Sequence, residues 1–399
     1  MTPRAGGHAT RLVLLAVSFA LFAAGLRAAG GKPLLQHTPY DQHTLQALAW
    51  LEGHVDVVGD PERLELAEYQ GRQFNSFPPT PSLLQLPLVL VFGRDTPSLL
   101  LLYAAALVAI LAQHAVIRRL GGSDLWAGLL SIGLVFGSNL FPSIIQGGVW
   151  SEGQVIGYSL AVLGIERQVK NPRRGLGGPG LGYFLLSLAV GCRPFYLFLL
   201  PLCLVIDHET NQRPYRAALG DAVLFMAPYT ALLGGYNALR FGNPLEFGHN
   251  YLPWARELEH GIFSIHYLAR NIDHAILRLP RLGRPQRFLQ FDPHGTAFWL
   301  NNGLLLLGMF RLAGRDLSRP MRLSAGFTLA TTMLSLLLHE TNGYFQVGWR
   351  FAIDLLPVGF WLLAAARGAW NPVVIGLVPA SILLNLYAVW WFQVAMQEA

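Results

Sequence analysis

Charge and cysteine are both scarce in this sequence. Asp, Glu, Lys and Arg together make up 13% of the 399 residues, whereas a soluble domain carries about 25%. The two cysteines, Cys192 and Cys203, lie in apolar stretches, which argues against a disulfide framework or a thiolate metal site. With a mean hydropathy of +0.39, this composition excludes an ordinary soluble domain.

Apolar runs of membrane-spanning length recur along the whole chain and predict a polytopic, all-α transmembrane helical bundle. Spans are predicted at 11–29, 97–117, 124–141, 149–165, 220–239, 296–312, 323–339, 351–366 and 372–395. Two shorter apolar segments, 181–191 and 195–206, flank Arg193 and predict a pair that dips into the membrane, so about nine to eleven crossings are expected. Residues 1–399 form a single domain, and a cleaved signal peptide is the alternative for the first span.

Basic residues lie in short clusters between the apolar segments. Such clusters orient a protein in a bilayer, so they account for the pI near 9.5 without nucleic-acid binding. The clusters within 118–119, 167–174, 213–216 and 311–322 alternate as cytoplasmic loops do. Three polar stretches are then extracytoplasmic: two large loops, 30–96, which holds interfacial helices, and 240–295, and the short stretch 340–350.

The first outer loop contains the stretch "HTPYDQHTLQALAWLEGHVDV", residues 37–57, which is rich in titratable groups. Apolar residues share one face between Asp41 and Leu51, so the segment predicts a short amphipathic helix on the outer membrane surface. Asp41 stands at its start. Asp41 is therefore either a helix N-cap or a functional carboxylate.

Other acids and arginines are predicted at the same membrane face. Glu152 in "GGVWSEGQ" opens a span from outside, and Arg193 in "GCRPFY" lies at the outer tip of the short pair. In "YFQVGWRFAIDLLP", Arg350 and Asp354 are one helical turn apart, so they could also pair with each other. Acids and arginines at an outer-leaflet site suit chemistry on a lipid that carries phosphate.

The order of these features resembles the polytopic glycosyltransferases of the GT-C fold, particularly the bacterial mannosyl- and aminoarabinose-transferases. The matching segments are "TPYDQHTLQALAWLEGH", "YQGRQFNSFPPTPSLLQLPLVLVFG", "RFGNPLEFGHNY" and "GWRFAIDLLP". Where the family often has a second acid, this chain has Gln42; it offers Glu152 where relatives often have Asp, and Arg193 where some have Lys. These departures leave metal binding open.

The resemblance implies transfer of a sugar from a polyprenyl-phosphate donor to an acceptor hydroxyl on a glycan, lipid or protein. It implies an extracytoplasmic site in the bacterial inner membrane. Asp41 is the expected general base, because an alcohol is a poor nucleophile at neutral pH, and Asp56 and Asp60 are the alternatives. Glu152 binds the acceptor, supports Asp41 or shares a divalent cation with it, unless it is a solvated helix cap. The residues expected to bind substrate are Arg193, Arg350, Arg72, Tyr69 and His249.

Other functions and sites remain open. A transporter or flippase of a lipid-linked or anionic substrate is the main alternative, although it would place ionisable groups at mid-membrane; a non-enzymatic assembly partner is the other. His37, His43 and His54 have spacings that fit no single helix face and argue against a zinc site. A further tract is expected either to contact anionic headgroups or to dock the donor or an anionic acceptor; it comprises Arg278, Arg281, Arg284 and Arg287.

Overall fold

The structure is a computed structural model that describes residues 6–57, 64–171, 175–283, 288–365 and 372–398. Helices dominate it, as predicted. The first eight are α1 Gly6–Ala28, α2 Gln42–Leu51, α3 Thr80–Phe92, α4 Ser98–Arg119, α5 Asp124–Phe136, α6 Leu140–Gln146, α7 Val149–Gln168 and α8 Pro179–Val190. The next eight are α9 Leu200–Asn211, α10 Tyr215–Phe241, α11 Leu268–Ile272, α12 Phe298–Asn301, α13 Gly303–Phe310, α14 Arg319–Leu337, α15 Leu356–Ala365 and α16 Pro372–Glu398.

Four helices of the described ranges are long and apolar enough to cross a bilayer, and the protein is an integral membrane protein. They contain Ala9–Ala28, Ser98–Arg119, Tyr215–Phe241 and Pro372–Val394, and the pair α5–α6, bent by 54°, makes up to five. Helices α7 and α14 also coincide with predicted spans, but polar residues such as Glu152 and Gln154 lower the hydropathy of α7. The total of nine to eleven crossings stays a prediction.

The core forms where small residues let helices approach closely. A Cβ added at Gly164 of α7 would lie 2.9 Å from the carbonyl oxygen of Gly182 in α8, and one at Gly182 would lie 2.7 Å from that of Gly164. Such contacts are typical of membrane helix packing. The largest fully buried side chains of the described residues include Tyr158 of α7, Tyr183 of α8 and Trp361 of α15.

The connectors predicted to be cytoplasmic contact one another, so they lie at one end of the bundle. The contacts are an ion pair between Arg119 and Glu166 and hydrogen bonds between Asn171 and Asn211 and between Ser318 and Glu209. Arg173 and Arg174 of the same clusters lie outside the described residues. The side of the membrane that this end faces stays a prediction.

Two short segments with a break at Arg193 are present as predicted, whereas their dipping into the membrane stays a prediction. Helix α8 ends at Val190, Arg193 is extended, and a 3₁₀ segment, Pro194–Leu199, leads directly into α9. A proline at the start of each of the last two segments favours this break, because proline has no N–H to donate inside a helix.

The first outer loop contains α2, α3 and a hairpin of strands β1 Leu66–Tyr69 and β2 Arg72–Asn75, in which Tyr69 is paired with Arg72. The two turn residues, Gln70 and Gly71, have φ values of 50° and 73°, as a two-residue type I′ turn requires. The second outer loop consists of short helical segments, α11 and a small hairpin, β3 Arg281–Leu282 with β4 Leu289–Gln290.

Helix α2 is confirmed but does not lie on a surface as predicted. Its polar residues are buried together with its apolar ones, and Leu51 at its end is 50% exposed. Thr44 donates a hydrogen bond to the side-chain oxygen of Gln85 in α3 at 3.0 Å. The polar face of α2 therefore points into the protein, because hydrogen-bond partners on α3 and the hairpin offset the cost of its burial.

Candidate active site

A large cavity lies where the two outer loops meet the end of the bundle. Its volume is about 1360 Å³, and its wall combines the segment after α1, the start of α7, the Arg193 junction, the loop after α10 and the segment 339–351. The charged and imidazole groups on the wall are Lys32, His37, His43, Glu65, Arg193, Glu246, His249, His339 and Arg350. The wall thus presents three basic and two acidic side chains.

Arg193 is fixed by an ion pair. Its Nε lies 2.7 Å from Oδ2 of Asp354, whose side chain is 1% exposed. The guanidinium also lies over the rings of Phe195 and Phe351, at 5.6 and 5.4 Å from their centroids. Asp354 therefore pairs with Arg193 and not with Arg350, which corrects the alternative of a local Arg350–Asp354 pair.

Arg350 lines the same cavity, and its guanidinium lacks a full set of hydrogen-bond acceptors. The residue is 8% exposed, and its Nε has no hydrogen-bond partner among the described residues. Its backbone is held firmly, because Gln346 accepts from its N–H at 3.0 Å and Gln154 donates to its carbonyl at 3.3 Å. A buried cation without a full set of partners is costly, and an anionic ligand would supply the missing acceptors.

Lys32 is a third cation on the wall, and sequence reasoning missed it. Its ammonium donates to the carbonyl oxygens of Ile145 and Gln146, at 3.2 and 2.8 Å. Burial lowers the pKa of this amine. A lysine just after a span is usually a membrane-interface residue, so nothing local in the sequence distinguishes it.

Asp41 stands at the start of α2, but its side chain does not cap the helix. Its side chain makes no capping hydrogen bond, so the N-cap alternative is not what the structure has. The residue is 3% exposed, and its Oδ2 lies 3.4 Å from Nε2 of His37 and has no hydrogen-bond partner in the described ranges. Burial raises the pKa of Asp41, while the nearby charges of His37 and Arg94 lower it. The residues just before it in the chain, His37 to Tyr40, line the cavity, whereas Asp41 itself does not.

Glu152 is buried in the first turn of α7, so it is not a solvated helix cap. The residue is 1% exposed, and Gln85 donates to its Oε2 at 2.6 Å. The Val149 N–H at the start of α7 donates to the carbonyl of Tyr40, the residue before Asp41, at 3.0 Å, so the segments that carry these two predicted carboxylates are in contact. No group of three or more His, Cys, Asp or Glu among the described residues could hold a metal ion, and a cation shared by Asp41 and Glu152 alone stays untested.

Glu65 is a carboxylate on the cavity wall that sequence reasoning did not select. Its backbone is clamped by Gln42, whose amide donates to the Glu65 carbonyl at 2.7 Å and accepts from its N–H at 3.2 Å. Burial raises the pKa of the Glu65 carboxyl, and a hydrogen bond from Trp150 and the charge of Arg350 lower it. Gln42 stands where the family often has a second acid, and its side chain holds the backbone of a different acid, Glu65.

Of the remaining predicted substrate-binding residues, His249 lies on the wall and two others do not. Burial lowers the pKa of His249 to about 4, so its imidazole is neutral. Tyr69 packs against Tyr251, with ring centroids 4.6 Å apart. Arg72 is exposed and forms an ion pair with Asp56. Asp56, one of the two alternative bases, is therefore already paired with a cation. The other alternative, Asp60, lies outside the described residues.

The arginine tract of the second outer loop is partly neutralised. Arg278 forms ion pairs with Asp273 and Asp292, so its charge is balanced within the protein. Arg281 is exposed in β3. Arg284 and Arg287 lie outside the described residues, so the predicted contact with anionic headgroups stays a prediction.

Known structures align with almost the whole chain. ArnT from Cupriavidus metallidurans bound to undecaprenyl phosphate aligns with a TM-score of 0.56 at 12% identity, over 95% of this chain and 63% of that one. The same protein in the apo state gives a TM-score of 0.55 at 12% identity, over 94% and 62%. The chain has the GT-C fold. It spans less than two thirds of the length of ArnT.

No protein-family model matches the sequence, and no curated protein matches it. The similarity to ArnT therefore lies in the arrangement of helices, and at 12% sequence identity it is evidence for the fold alone. The GT-C resemblance drawn from the order of outer-loop features is confirmed at the level of fold.

Proposed function

We propose that the protein is a membrane glycosyltransferase that moves a sugar from a polyprenyl-phosphate donor to an acceptor hydroxyl, with Asp41 as general base. The observation that carries this proposal is the cationic cavity, in which Lys32, Arg193 and Arg350 share one wall. A polyprenyl-phosphate headgroup is anionic, and guanidinium groups bind phosphate with paired hydrogen bonds. The fold is also that of ArnT, whose structure holds undecaprenyl phosphate.

In this mechanism the acceptor oxygen attacks the anomeric carbon while the bond from that carbon to the phosphate oxygen breaks. The leaving phosphate keeps the bonding electron pair, and Arg193 and Arg350 stabilise its added negative charge. The acceptor loses its proton as it attacks, and Asp41 takes that proton. Glu152, next to Asp41, would support the base or share a divalent cation with it.

The acceptor is a hydroxyl of a glycan, lipid or protein, and the site faces the extracytoplasmic side of a bacterial inner membrane. Support for this side comes from the basic connectors, which contact one another at the other end of the bundle, as expected of cytoplasmic loops.

The test is to incubate the purified protein with undecaprenyl-phosphate-linked hexoses and pentoses and to measure release of the sugar, with and without added acceptors. We expect release from at least one donor and its loss in Arg350→Gln. Arg256→Gln is the matched control, because Arg256 is exposed and its partner is Glu68. Movement of an intact lipid-linked sugar across proteoliposomes without release would contradict the proposal and favour a flippase.

A further inference from the structure

The two acidic residues on the cavity wall, Glu65 and Glu246, use their carboxylate oxygens differently. Glu246 is occupied by its own loop, because its Oε1 accepts from the Gly248 N–H and its Oε2 from the Asn250 amide, both at 2.6 Å. The carboxylate of Glu65 receives a hydrogen bond from Trp150. A carboxylate has about four acceptor positions on its two oxygens, so Glu65 can accept further hydrogen bonds from a ligand.

Glu65 also differs from the two acids that were predicted from the sequence. It lines the cavity, and neither of its carboxylate oxygens is a buried atom without a partner. Oδ2 of Asp41 and Oε1 of Glu152 are both buried and unpaired in the described part of the chain, and neither of these residues lines the cavity. Of the three acids, Glu65 is therefore the one that belongs to the cavity wall.

Three hydrogen bonds fix the backbone that carries this carboxylate. The Gln42 amide donates to the Glu65 carbonyl at 2.7 Å and accepts from its N–H at 3.2 Å. The Ser76 hydroxyl donates to the same carbonyl, also at 2.7 Å. Gln42 belongs to α2 and Ser76 follows β2, so two separate elements hold Glu65 in place. A group that is held in advance loses less conformational freedom when it binds a ligand.

An acidic side chain on this wall opposes the binding of a phosphate alone. Lys32, Arg193 and Arg350 line the same cavity, and a carboxylate among them partly cancels their attraction for an anion. A carboxylate is, however, a strong acceptor of hydrogen bonds from hydroxyl groups. Glu65 therefore suits a ligand that carries neutral hydroxyl groups next to its phosphate, which describes a phosphate-linked sugar.

We propose that Glu65 binds hydroxyl groups of the donor sugar, an inference that rests on the polyprenyl-phosphate-linked donor proposed above. The arginines hold the phosphate, and Glu65 holds the sugar attached to it. After transfer, the free lipid phosphate lacks the sugar contact. A phosphate monoester also carries a charge of about −1.5 to −2 near pH 7, so Glu65 repels it more strongly than the donor. The site thereby favours the donor over the spent lipid.

The test compares the binding of charge-matched lipids to the purified protein in mixed micelles. Undecaprenyl-phosphate-linked glucose and arabinose and the methyl ester of undecaprenyl phosphate all carry one negative charge, and only the first two carry a sugar. We expect the wild type to bind at least one sugar conjugate more tightly than the methyl ester. Glu65→Gln should weaken binding of that conjugate by about 10-fold, because a hydrogen bond to a charged acceptor becomes one to a neutral amide. Its affinity for the methyl ester should stay unchanged or rise.

Two further variants make the result specific. Glu246→Gln is the matched control, because it removes a charge of the same sign from the same wall; it should change the affinities for the conjugate and the methyl ester by the same factor. Glu65→Asp keeps the charge but shortens the side chain by one methylene group. It should lose the preference for the conjugate without binding the methyl ester more tightly, and it carries the test if thermal unfolding shows that Glu65→Gln is not folded.

The outcomes separate this inference from the proposed function. If Glu65→Gln keeps the preference for the conjugate, or binds conjugate and methyl ester more tightly by the same factor, Glu65 only balances the charge of the arginines and the inference is wrong. Equal affinity of the wild type for the methyl ester and both conjugates would also overturn it. A wild type that prefers a conjugate through Glu65 but releases no sugar would contradict the glycosyltransferase and leave the sugar-binding role of Glu65 in place.

Discussion

Replacing Arg193 by Gln should affect both stability and donor use, and the two effects can be separated. The substitution leaves the Asp354 carboxylate, with a side chain 1% exposed, without its ion-pair partner. Removing one partner of a buried pair costs about 3–5 kcal/mol. Because the Arg193 side chain is 17% exposed and Arg350 remains nearby, we expect the lower end, about 3 kcal/mol.

The informative comparison adds Asp354→Asn to Arg193→Gln. The double variant buries no unpaired charge at this position, and replacing both partners of a buried pair is often close to neutral. Its stability should therefore return towards that of the wild type. If Arg193 also binds the donor phosphate, donor affinity in the double variant should stay about 10- to 150-fold weaker, the equivalent of a lost hydrogen bond to a charged group.

The measurements are reversible unfolding in mixed micelles and donor binding by the three variants and the wild type. Asp354→Asn alone is the matched control, since it removes the pair but keeps the guanidinium on the cavity wall. Unchanged stability of Arg193→Gln would refute the argument that the pair stabilises the fold. Wild-type donor affinity in the double variant would show that Arg193 has a structural role only.

Further predictions concern the base, the second arginine and the topology. Asp41→Asn should keep wild-type thermal stability, because the side chain caps nothing, but lose about 10²–10⁴-fold in sugar transfer; a wild-type rate would exclude it as the base. Burial raises the pKa of Asp41, so on acidification kcat/KM should begin to fall well above pH 3.9, the approximate pH at which an exposed Asp is half protonated. A kcat/KM that stays constant down to that pH would contradict this role of Asp41. Arg350→Gln should weaken donor binding by about 10- to 150-fold, whereas equal affinity in Arg350→Gln and the wild type removes Arg350 from the phosphate site. A cysteine at the exposed Leu176 should be labelled from the cytoplasmic side only, since both native cysteines are buried, and labelling from outside would invert the topology.

The sequence allowed the local elements and the fold to be predicted, because both depend on features that recur at short spacing. Apolar runs predicted most helices, and the break at Arg193 followed from the shortness of its two neighbouring segments. The GT-C resemblance came from the order of the outer-loop motifs. None of these inferences required knowledge of which distant residues touch.

The details of the site depended on such distant contacts and could not be predicted. The partner of Arg193 is 161 residues away, so the nearer Arg350 was the natural sequence-based partner for Asp354. Glu65 became relevant only through its clamp by Gln42, 23 residues away. The burial of the polar face of α2 likewise requires Gln85 on another helix, whereas an isolated sequence pattern can only predict the orientation of its apolar face.

The position of Lys32 has a consequence for how a ligand would act on the protein. An ammonium group has three N–H donors, and the carbonyls of Ile145 and Gln146 at the end of α6 take two of them. One donor remains for an anion in the cavity, so a bound phosphate would share this lysine with the end of α6 without displacing either carbonyl. The phosphate and the end of α6 would then both accept hydrogen bonds from the same Nζ atom. A ligand in the cavity would therefore strengthen the contact between the chain after α1 and the bent α5–α6 pair.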